Sequence, residues 1–254
     1  MYSPNSFYNV YLDGIGLHDL DPSIVITDVQ EPAPQLDVQT VMLADRPGEC
    51  CARQLRKNIS VIVKLRIITS SFDRRKAVWR RVNAWAVRGG LLTISDRHGQ
   101  QLRVRLATPL ALPSTLKWTD ELSMTFTSMG LPYWQDVYPS TATLTAGSGS
   151  AVLSPSGDVD TLLEVTAINK SNSPLTRLRI EVGGHFIALE GMSIPSGGSV
   201  RLYYDDEHIL QLPVEARTED SSDELPLSCQ AANTITFSAD QSVAITFSAR
   251  GCYL

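Results

Sequence analysis

The chain has 254 residues, a formal net charge of −5 and 43% hydrophobic residues, which is typical of a globular protein with an apolar core. No stretch approaches the roughly 20 apolar residues of a membrane-spanning helix. The first residues lack the basic and apolar regions of a secretory signal. We therefore expect a protein that is made and folded in a cytoplasm, without membrane insertion.

The charge is divided unevenly along the chain. Residues 1–133 contain 16 Lys/Arg and 12 Asp/Glu, a net of +4, whereas residues 134–254 contain 6 and 15, a net of −9, and the two values sum to −5. Such a shift at one point predicts two domains with different surroundings. We place them at residues 1–134 and 135–254, with the boundary near Gln135.

In the first half, hydrophobic periodicity predicts strands around one helix. A period of two is clearest in a long strand over residues 56–68, in which Val61, Val63 and Leu65 alternate with more polar positions. Shorter strands are predicted at residues 7–12, 24–29, 40–44, 91–94, 102–106 and 122–126. One helix against several strands indicates a mainly β, α+β fold, here an N-terminal β-sandwich with one packed helix.

The predicted helix follows Ser71, a good N-cap residue, and ends before Gly89. Its apolar residues lie at helical spacing and should pack on the sheet, while its other faces are rich in arginine. A solvated surface explains that basic face better than nucleic-acid binding does.

The second half shows no helical period. A Ser/Thr/Gly/Ala-rich stretch at residues 139–157 resembles a connector with at most one strand. Beyond it, short strands separated by turn signals predict a β-sandwich. They lie at residues 162–168, 175–182, 186–189, 200–204, 209–212, 234–237 and 243–247.

The sequence contains no recognisable catalytic, cofactor-binding or metal-binding motif, so we do not expect an enzyme. The four histidines form no metal-ligand pattern. The acidic run Asp205–His208 could hold a cation, but an acidic turn is the commoner explanation. Two carboxylate pairs, Asp158 with Asp160 and Asp220 with Asp223, are equally well explained as acidic surface.

Cysteines and aromatic residues leave two questions open. Cys50, Cys51, Cys229 and Cys252 form no zinc-binding pattern and are expected to be free thiols in a cytoplasm. A bond between Cys229 and Cys252 depends on their distance. The aromatic residues that could stack on a sugar are Tyr203, Tyr204 and Trp134, although alternation should leave only one of the two tyrosines exposed.

Several segments, taken in order, resemble the distal tail protein family of siphophages and related prophages. They are Leu12-Asp13-Gly14, residues 24–29, the strand 56–68, Asp73-Arg74 leading into a helix that carries Trp85-Ala86, residues 89–97 with Gly99 and Leu102, Phe126, Pro132-Tyr133-Trp134, and the ending 247–254. His98 departs from the proline expected in the turn after Arg97. No large insertion that would form a dedicated carbohydrate-binding module is present.

The resemblance implies a structural protein of the virion tail tip, assembled in the host bacterial cytoplasm. Six copies would form a ring between the tail tube protein and the tail-associated hub protein, sometimes with a receptor-binding protein, and DNA would pass through the channel. The second domain would be a galectin-like β-sandwich. A hairpin predicted around residues 45–53 would contact a neighbouring copy, and its candidate interface residues are Asp45, Arg46, Pro47, Gly48, Glu49 and Arg53. The alternative function is carbohydrate binding at the host surface through Tyr203 and Tyr204.

Overall fold

The computed structural model describes residues 8–42, 49–113, 120–204 and 210–254. The chain forms two compact units, one ending at Trp134 and one spanning Gln135–Leu254. Both consist largely of strands. The mainly β fold class predicted from the sequence, with one packed helix, is therefore confirmed.

The first unit contains a twisted sheet with strand order β2-β1-β7-β8-β9-β6-β3, and a separate two-stranded hairpin, β4-β5. Its strands are β1 Val10–Leu12, β2 Ile15–Gly16, β3 Ile24–Gln30, β4 Leu36–Met42, β5 Glu49–Arg56, β6 Ser60–Ile67, β7 Gly90–Ile94, β8 Gln100–Thr108 and β9 Leu122–Ser128. Two helices accompany them, α1 Leu17–Leu20 and α2 Phe72–Ala86. The short helix α1 carries no periodicity and was not predicted.

Helix α2 forms where the sequence predicts it. The Ser71 hydroxyl accepts a hydrogen bond from the Arg74 amide at 3.2 Å, which caps the first turn. The helix buries Val78, Val82 and Trp85, and the Trp85 ring meets Phe126 edge to face at 6.0 Å. Burial of each such side chain stabilises the fold by roughly 1.5–3 kcal/mol. The packing anticipated for the helix on the sheet is therefore present.

The prediction of one long strand over residues 56–68 is wrong, because this stretch contains the end of β5 and the whole of β6. Strand β5 ends at Arg56 and belongs to the hairpin, whereas β6 lies in the main sheet between β3 and β9. Between them, the Ile59 amide donates to the Ser128 hydroxyl at 2.9 Å and the Ile59 carbonyl accepts from the Ser128 amide at 2.8 Å. The strand is interrupted because its two parts pair with different sheets. Side-chain alternation cannot reveal such a change of partner.

The second unit contains a sheet with strand order β15-β14-β19-β13-β16-β17, with β11 paired to β19, and a small pair, β12-β18. Its elements are β10 Trp134–Asp136, β11 Ser140–Leu153, β12 Thr161–Leu162, β13 Glu164–Asn169, β14 Leu175–Val182, β15 His185–Ile194, β16 Ser199–Tyr204, β17 Leu210–Gln211, β18 Pro226–Leu227, β19 Asn233–Ala249, β20 Cys252–Tyr253 and a 3-10 turn, Val214–Ala216. Strand β14 matches its predicted bounds.

Two long strands fold this sheet over on itself. Strand β19 pairs with β14 through residues 235–239 and with β13 through residues 243–248. Strand β11 follows β19 along both stretches, with a register shift between Ala146 and Ser148. Because a bulge bends the strand that carries it, the two halves enclose one core. That core includes Val165, Ile180 and Phe247.

Two sequence predictions in this unit are corrected. The supposed connector at residues 139–157 is mostly β11, a strand of 14 residues. The two strands predicted at 234–237 and 243–247 are one strand of 17 residues, β19. Its polar middle, around Asp240, stays extended: the Asp240 carboxylate accepts hydrogen bonds from the Thr176 and Arg177 amides at 3.1–3.2 Å.

Candidate functional site

The hairpin β4-β5 is the most distinctive surface of the first unit. Its two strands pair with each other from Leu36↔Arg56 to Met42↔Glu49, and within the described residues they pair with no other strand. The base is closed by a 2.7 Å hydrogen bond from the Lys57 amide to the Gln35 carbonyl. A two-stranded hairpin without a further layer is only marginally stable in water.

Apolar side chains of the hairpin are exposed. Met42 is 76% exposed, and four others are exposed by 43–51%: Leu36, Val38, Val41 and Leu55. Clustered apolar exposure of this kind marks an interaction surface more often than an accident of sequence. The hairpin is therefore the candidate assembly element of the first unit.

Two of the predicted interface residues lie in the described part of this hairpin. Glu49 is the first residue of β5 and pairs with Met42, while Arg53 pairs with Gln39 and is exposed. Asp45, Arg46, Pro47 and Gly48 lie outside the described residues, as does part of the strand predicted at residues 40–44. The sequence did not single out the exposed apolar residues of β4, since alternation alone would assign half of them to a core.

The basic face of α2 combines exposed residues with ion pairs inside the unit. Arg74, Lys76, Arg80 and Arg88 are exposed. Two arginines reach the nearly buried Asp21 carboxylate, Arg81 at 3.5 Å and Arg74 at 4.0 Å. Hydrogen bonding from Ser23, with help from both arginines, lowers the pKa of Asp21. This part of the basic face therefore joins α2 to the segment that follows α1.

The two tyrosines have different environments. The Tyr204 hydroxyl accepts a hydrogen bond from the Leu225 amide at 3.2 Å, and burial raises its pKa to about 12. Tyr203 is 39% exposed, and the Arg201 guanidinium lies 5.0 Å from its ring centroid. One exposed ring thus remains for the predicted sugar stacking. Trp134, the third candidate, is only 1% exposed and cannot stack on a sugar at the surface.

The carboxylates proposed as pairs make separate structural contacts. Asp160 accepts from the Cys229 amide at 3.0 Å, and Asp223 bonds Arg217 at 2.6 Å. Among the described residues no group of three or more His, Cys, Asp or Glu could hold a metal ion, and the run 205–208 lies outside them. None of the helices described is long and apolar enough to cross a bilayer.

Cysteines in the described part of the chain are free thiols: Cys51, Cys229 and Cys252. Cys252 is fully buried, with its sulfur 3.7 Å from the Thr161 hydroxyl, and burial raises the pKa of its thiol. A disulfide between Cys229 and Cys252, which the sequence left open, is absent.

The C-terminal residues make a network that the sequence did not predict. The Asp136 carboxylate accepts hydrogen bonds from the Ser156 hydroxyl at 2.7 Å, the Tyr253 hydroxyl at 3.0 Å and the Gly251 amide at 3.2 Å. The Arg250 guanidinium donates to the Asp136 carbonyl at 2.8 Å. We call this group the C-terminal clasp. Its only sequence signal is the small residue Gly251 beside polar ones.

Two edge strands of the sheet in the second unit, β15 and β11, differ. Strand β15 is covered by the segment 217–222: the Thr218 amide donates to the Ala188 carbonyl at 3.0 Å and the Ser222 amide to the Phe186 carbonyl at 2.7 Å. Strand β11 has no such cover among the described residues, where its only paired strand is β19. In the described part of the second unit, β11 is thus a long open edge.

Comparison with solved structures shows where this fold occurs. No family model and no curated protein matches the sequence. The crystal structure of SPP1 Dit, described as a paradigm of the hub adsorption apparatus in phages infecting Gram-positive bacteria, superposes with a TM-score of 0.70 at 13% identity, over 96% of this chain and 98% of that one. A chain of the activated phage p2 baseplate with Sr gives 0.51 at 8% identity, over 96% and 97%.

The match to SPP1 Dit covers nearly the whole length of both chains. At 13% identity it establishes a shared fold, and nothing beyond the fold. The chain therefore has the mainly β fold of a phage Dit protein. The resemblance inferred from scattered sequence motifs is confirmed at the level of the fold.

Proposed function

We propose that this protein is a structural ring subunit of a phage tail tip, placed between the tail tube and the baseplate or adsorption hub. The observation that carries the proposal is the full-length fold match to a protein of a hub adsorption apparatus. The baseplate chain with the same fold agrees with it. The role is one of assembly and calls for no chemistry.

The two units would have separate roles in this proposal. Residues 1–134 would form the ring as a tail-tube-like domain, with six copies around a channel through which DNA passes. Residues 135–254 would project as a galectin-like sandwich. The tail tube protein, the hub protein and, in some tails, a receptor-binding protein would be the neighbours. The ring would be assembled in the host cytoplasm and reside in the virion tail.

The hairpin β4-β5 is the proposed contact between neighbouring copies. Its exposed apolar residues, Leu36, Val38 and Met42 among them, would be covered in the ring. Candidate polar contacts are Arg53 and Glu49, together with residues Asp45 to Gly48, which lie outside the described part of the chain. A head-to-tail contact of this kind closes into a ring when its rotation fits an integral number of copies.

The test is the mass of the purified protein by light scattering over a concentration series. A closed species of six copies supports the proposal, and deletion of residues 47–51 should convert that species to smaller ones. A strictly monomeric protein that also fails to assemble with tube and hub proteins contradicts the ring. In that case glycan binding becomes the function to test, since Tyr203 presents a ring to solvent.

A further inference from the structure

Strand β11 lacks the features by which proteins protect an open sheet edge. Its sequence from Ser140 to Leu153 contains no Asp, Glu, Lys, Arg or Pro. Charged side chains, prolines and covering loops normally prevent an edge from pairing with another chain. Another edge strand, β15, has a covering segment and carries Glu190. The open edge is therefore suited to pairing with a further strand.

The first seven residues of β11, Ser140–Ala146, which we call the edge segment, are self-complementary. If two copies run antiparallel with Thr143 opposite Thr143, then Thr141 lies opposite Thr145 and Ala142 opposite Leu144. One face of such a pair carries only threonines. On the other face, Ala142 lies opposite Leu144 and Ser140 lies opposite Ala146.

On the side where β11 pairs with β19, threonines already lie opposite threonines. Thr143 lies opposite Thr246 of β19, with their hydroxyls 3.1 Å apart, and Thr246 lies opposite Thr166 of β13. Cross-strand threonine pairs stabilise sheets modestly, by roughly 0.2–1 kcal/mol each. A second Thr143 would extend this row by one strand.

We propose that the edge segments of two copies pair antiparallel about a two-fold axis at Thr143, which joins their sheets into one. A seven-residue antiparallel pair forms roughly six to eight backbone hydrogen bonds. The pairing also covers the half-buried side chains that pack on the rim of the core, Ala142, Leu144 and Ala146. This contact is distinct from the hairpin contact, and it stands whether or not a ring forms.

Charge opposes the pairing and gives it a characteristic salt dependence. Each second unit has a net charge of −9, from 6 basic and 15 acidic residues, while the edge segment itself has none. Repulsion between the units acts over about 30 Å at 0.01 M salt and about 8 Å at 0.15 M. Association through β11 should therefore strengthen as salt is added.

A register-specific cross-link tests the geometry. In a background with Cys50, Cys51 and Cys229 replaced by Ser, we compare Thr143→Cys with Thr145→Cys, two exposed positions on the same face of the strand. Opposed residues in an antiparallel pair are about 4.5–5.5 Å apart, within disulfide range. Two copies of position 145 would be about 13 Å apart along the strands.

We expect Thr143→Cys to form a covalent dimer on mild oxidation and Thr145→Cys to form little. Equal cross-linking of the two variants, or none in either, would overturn the proposed register. Because this readout is the covalent dimer itself, it remains interpretable if the unaltered protein forms no ring, an outcome that would contradict only the proposed function.

A second measurement tests the pairing in solution. Thr143→Lys sets two like charges opposite each other, whereas Thr236→Lys puts the same charge at an exposed position of the interior strand β19. The mass is measured by sedimentation velocity at 0.02 and 0.2 M salt. For the wild type and for Thr236→Lys, it should double between the lower and the higher salt concentration. Thr143→Lys should lose the doubling while keeping the wild-type circular dichroism spectrum. A doubled mass in Thr143→Lys, or its absence from the wild type, refutes the pairing.

Discussion

The hairpin β4-β5 and the C-terminal sandwich use apolar residues in opposite ways. In the sandwich, Phe247, Ile245 and Val243 are completely buried at alternate positions of one strand. In the hairpin, Leu36 and Val38 also alternate, yet about half of each side chain is exposed. The same period therefore has two meanings. Alternating apolar side chains stabilise the fold where a second layer covers them, and they form a contact surface where no layer covers them.

The largest loss of stability is expected from Phe247→Ala in the sandwich core. Phe247 is fully buried, and its ring centroid lies 6.0 Å from that of Phe237. Removing a buried phenylalanine side chain costs about 3–5 kcal/mol. Urea denaturation should show this decrease in the free energy of unfolding. The matched control, Val152→Ala at a 60% exposed position of β11, should change it little, and an equal loss in both would contradict the assigned core.

The C-terminal clasp should rank next. A Cβ atom added at Gly251 would lie 2.4 Å from the Ser156 carbonyl oxygen and 2.5 Å from an Asp136 carboxylate oxygen. Gly251→Ala therefore forces a backbone shift, at a cost of about 1–3 kcal/mol. Thermal unfolding measures this loss. Gly147→Ala is the matched control, because the nearest atom lies 3.6 Å away in ordinary contact and the backbone is not left-handed; an equal loss at Gly147 would refute the steric role of the clasp.

The ion pairs at Asp21 should contribute less, and in a pH-dependent way. Because the folded-state pKa of Asp21 is lowered, its contribution is present above the unfolded value, near 3.9, and is lost as pH falls through the folded value. Asp21→Asn should cost about 1 kcal/mol at pH 7.

Urea denaturation at pH 7 and pH 3 checks the sign of this effect. The stability difference between wild type and Asp21→Asn should shrink at the lower pH. Asp96→Asn, at an exposed turn, serves as the control. A difference that grows as pH falls would contradict the lowered pKa.

The smallest effect on stability is expected in the hairpin. The double variant Leu36→Ser, Met42→Ser removes exposed side chains, so the free energy of unfolding should change by less than about 0.5 kcal/mol per site. The proposed ring should nevertheless be lost in light scattering. Val87→Ser, at a 69% exposed residue after α2, should leave the ring intact. A large loss of stability in the hairpin variant would mean that the hairpin is part of a core.

Sequence patterns predicted the elements whose burial follows a regular period. Helix α2 and strand β14 match their predicted positions because one face of each is continuously apolar. Residues 139–157 were predicted as a connector with at most one strand, and not as the long strand β11, because few of its side chains are buried. Strand β19 was divided because hydrogen bonds to Asp240 hold an uninterrupted strand through polar residues. The C-terminal clasp joins residues more than 100 positions apart, so no local pattern could predict it.

Among the candidate functional residues, Glu49 and Arg53 lie in the hairpin, as the sequence suggested for this region. The exposed apolar residues of β4 needed the structure, since alternation predicts that a residue faces one side and not whether that side is covered. The open edge of β11 needed it as well, because an edge is defined by missing neighbours.

The pairing of β11 with β19 has a consequence for biosynthesis. Ser140 lies opposite Ala249, so the first long strand of the unit finds its partner in a segment synthesised more than 100 residues later. Contacts of such long range slow folding. The sandwich cannot close on the ribosome before residue 249 has emerged from the exit tunnel. Until then β11 and β14 lack their shared neighbour, and the nascent chain must avoid wrong pairings during that delay.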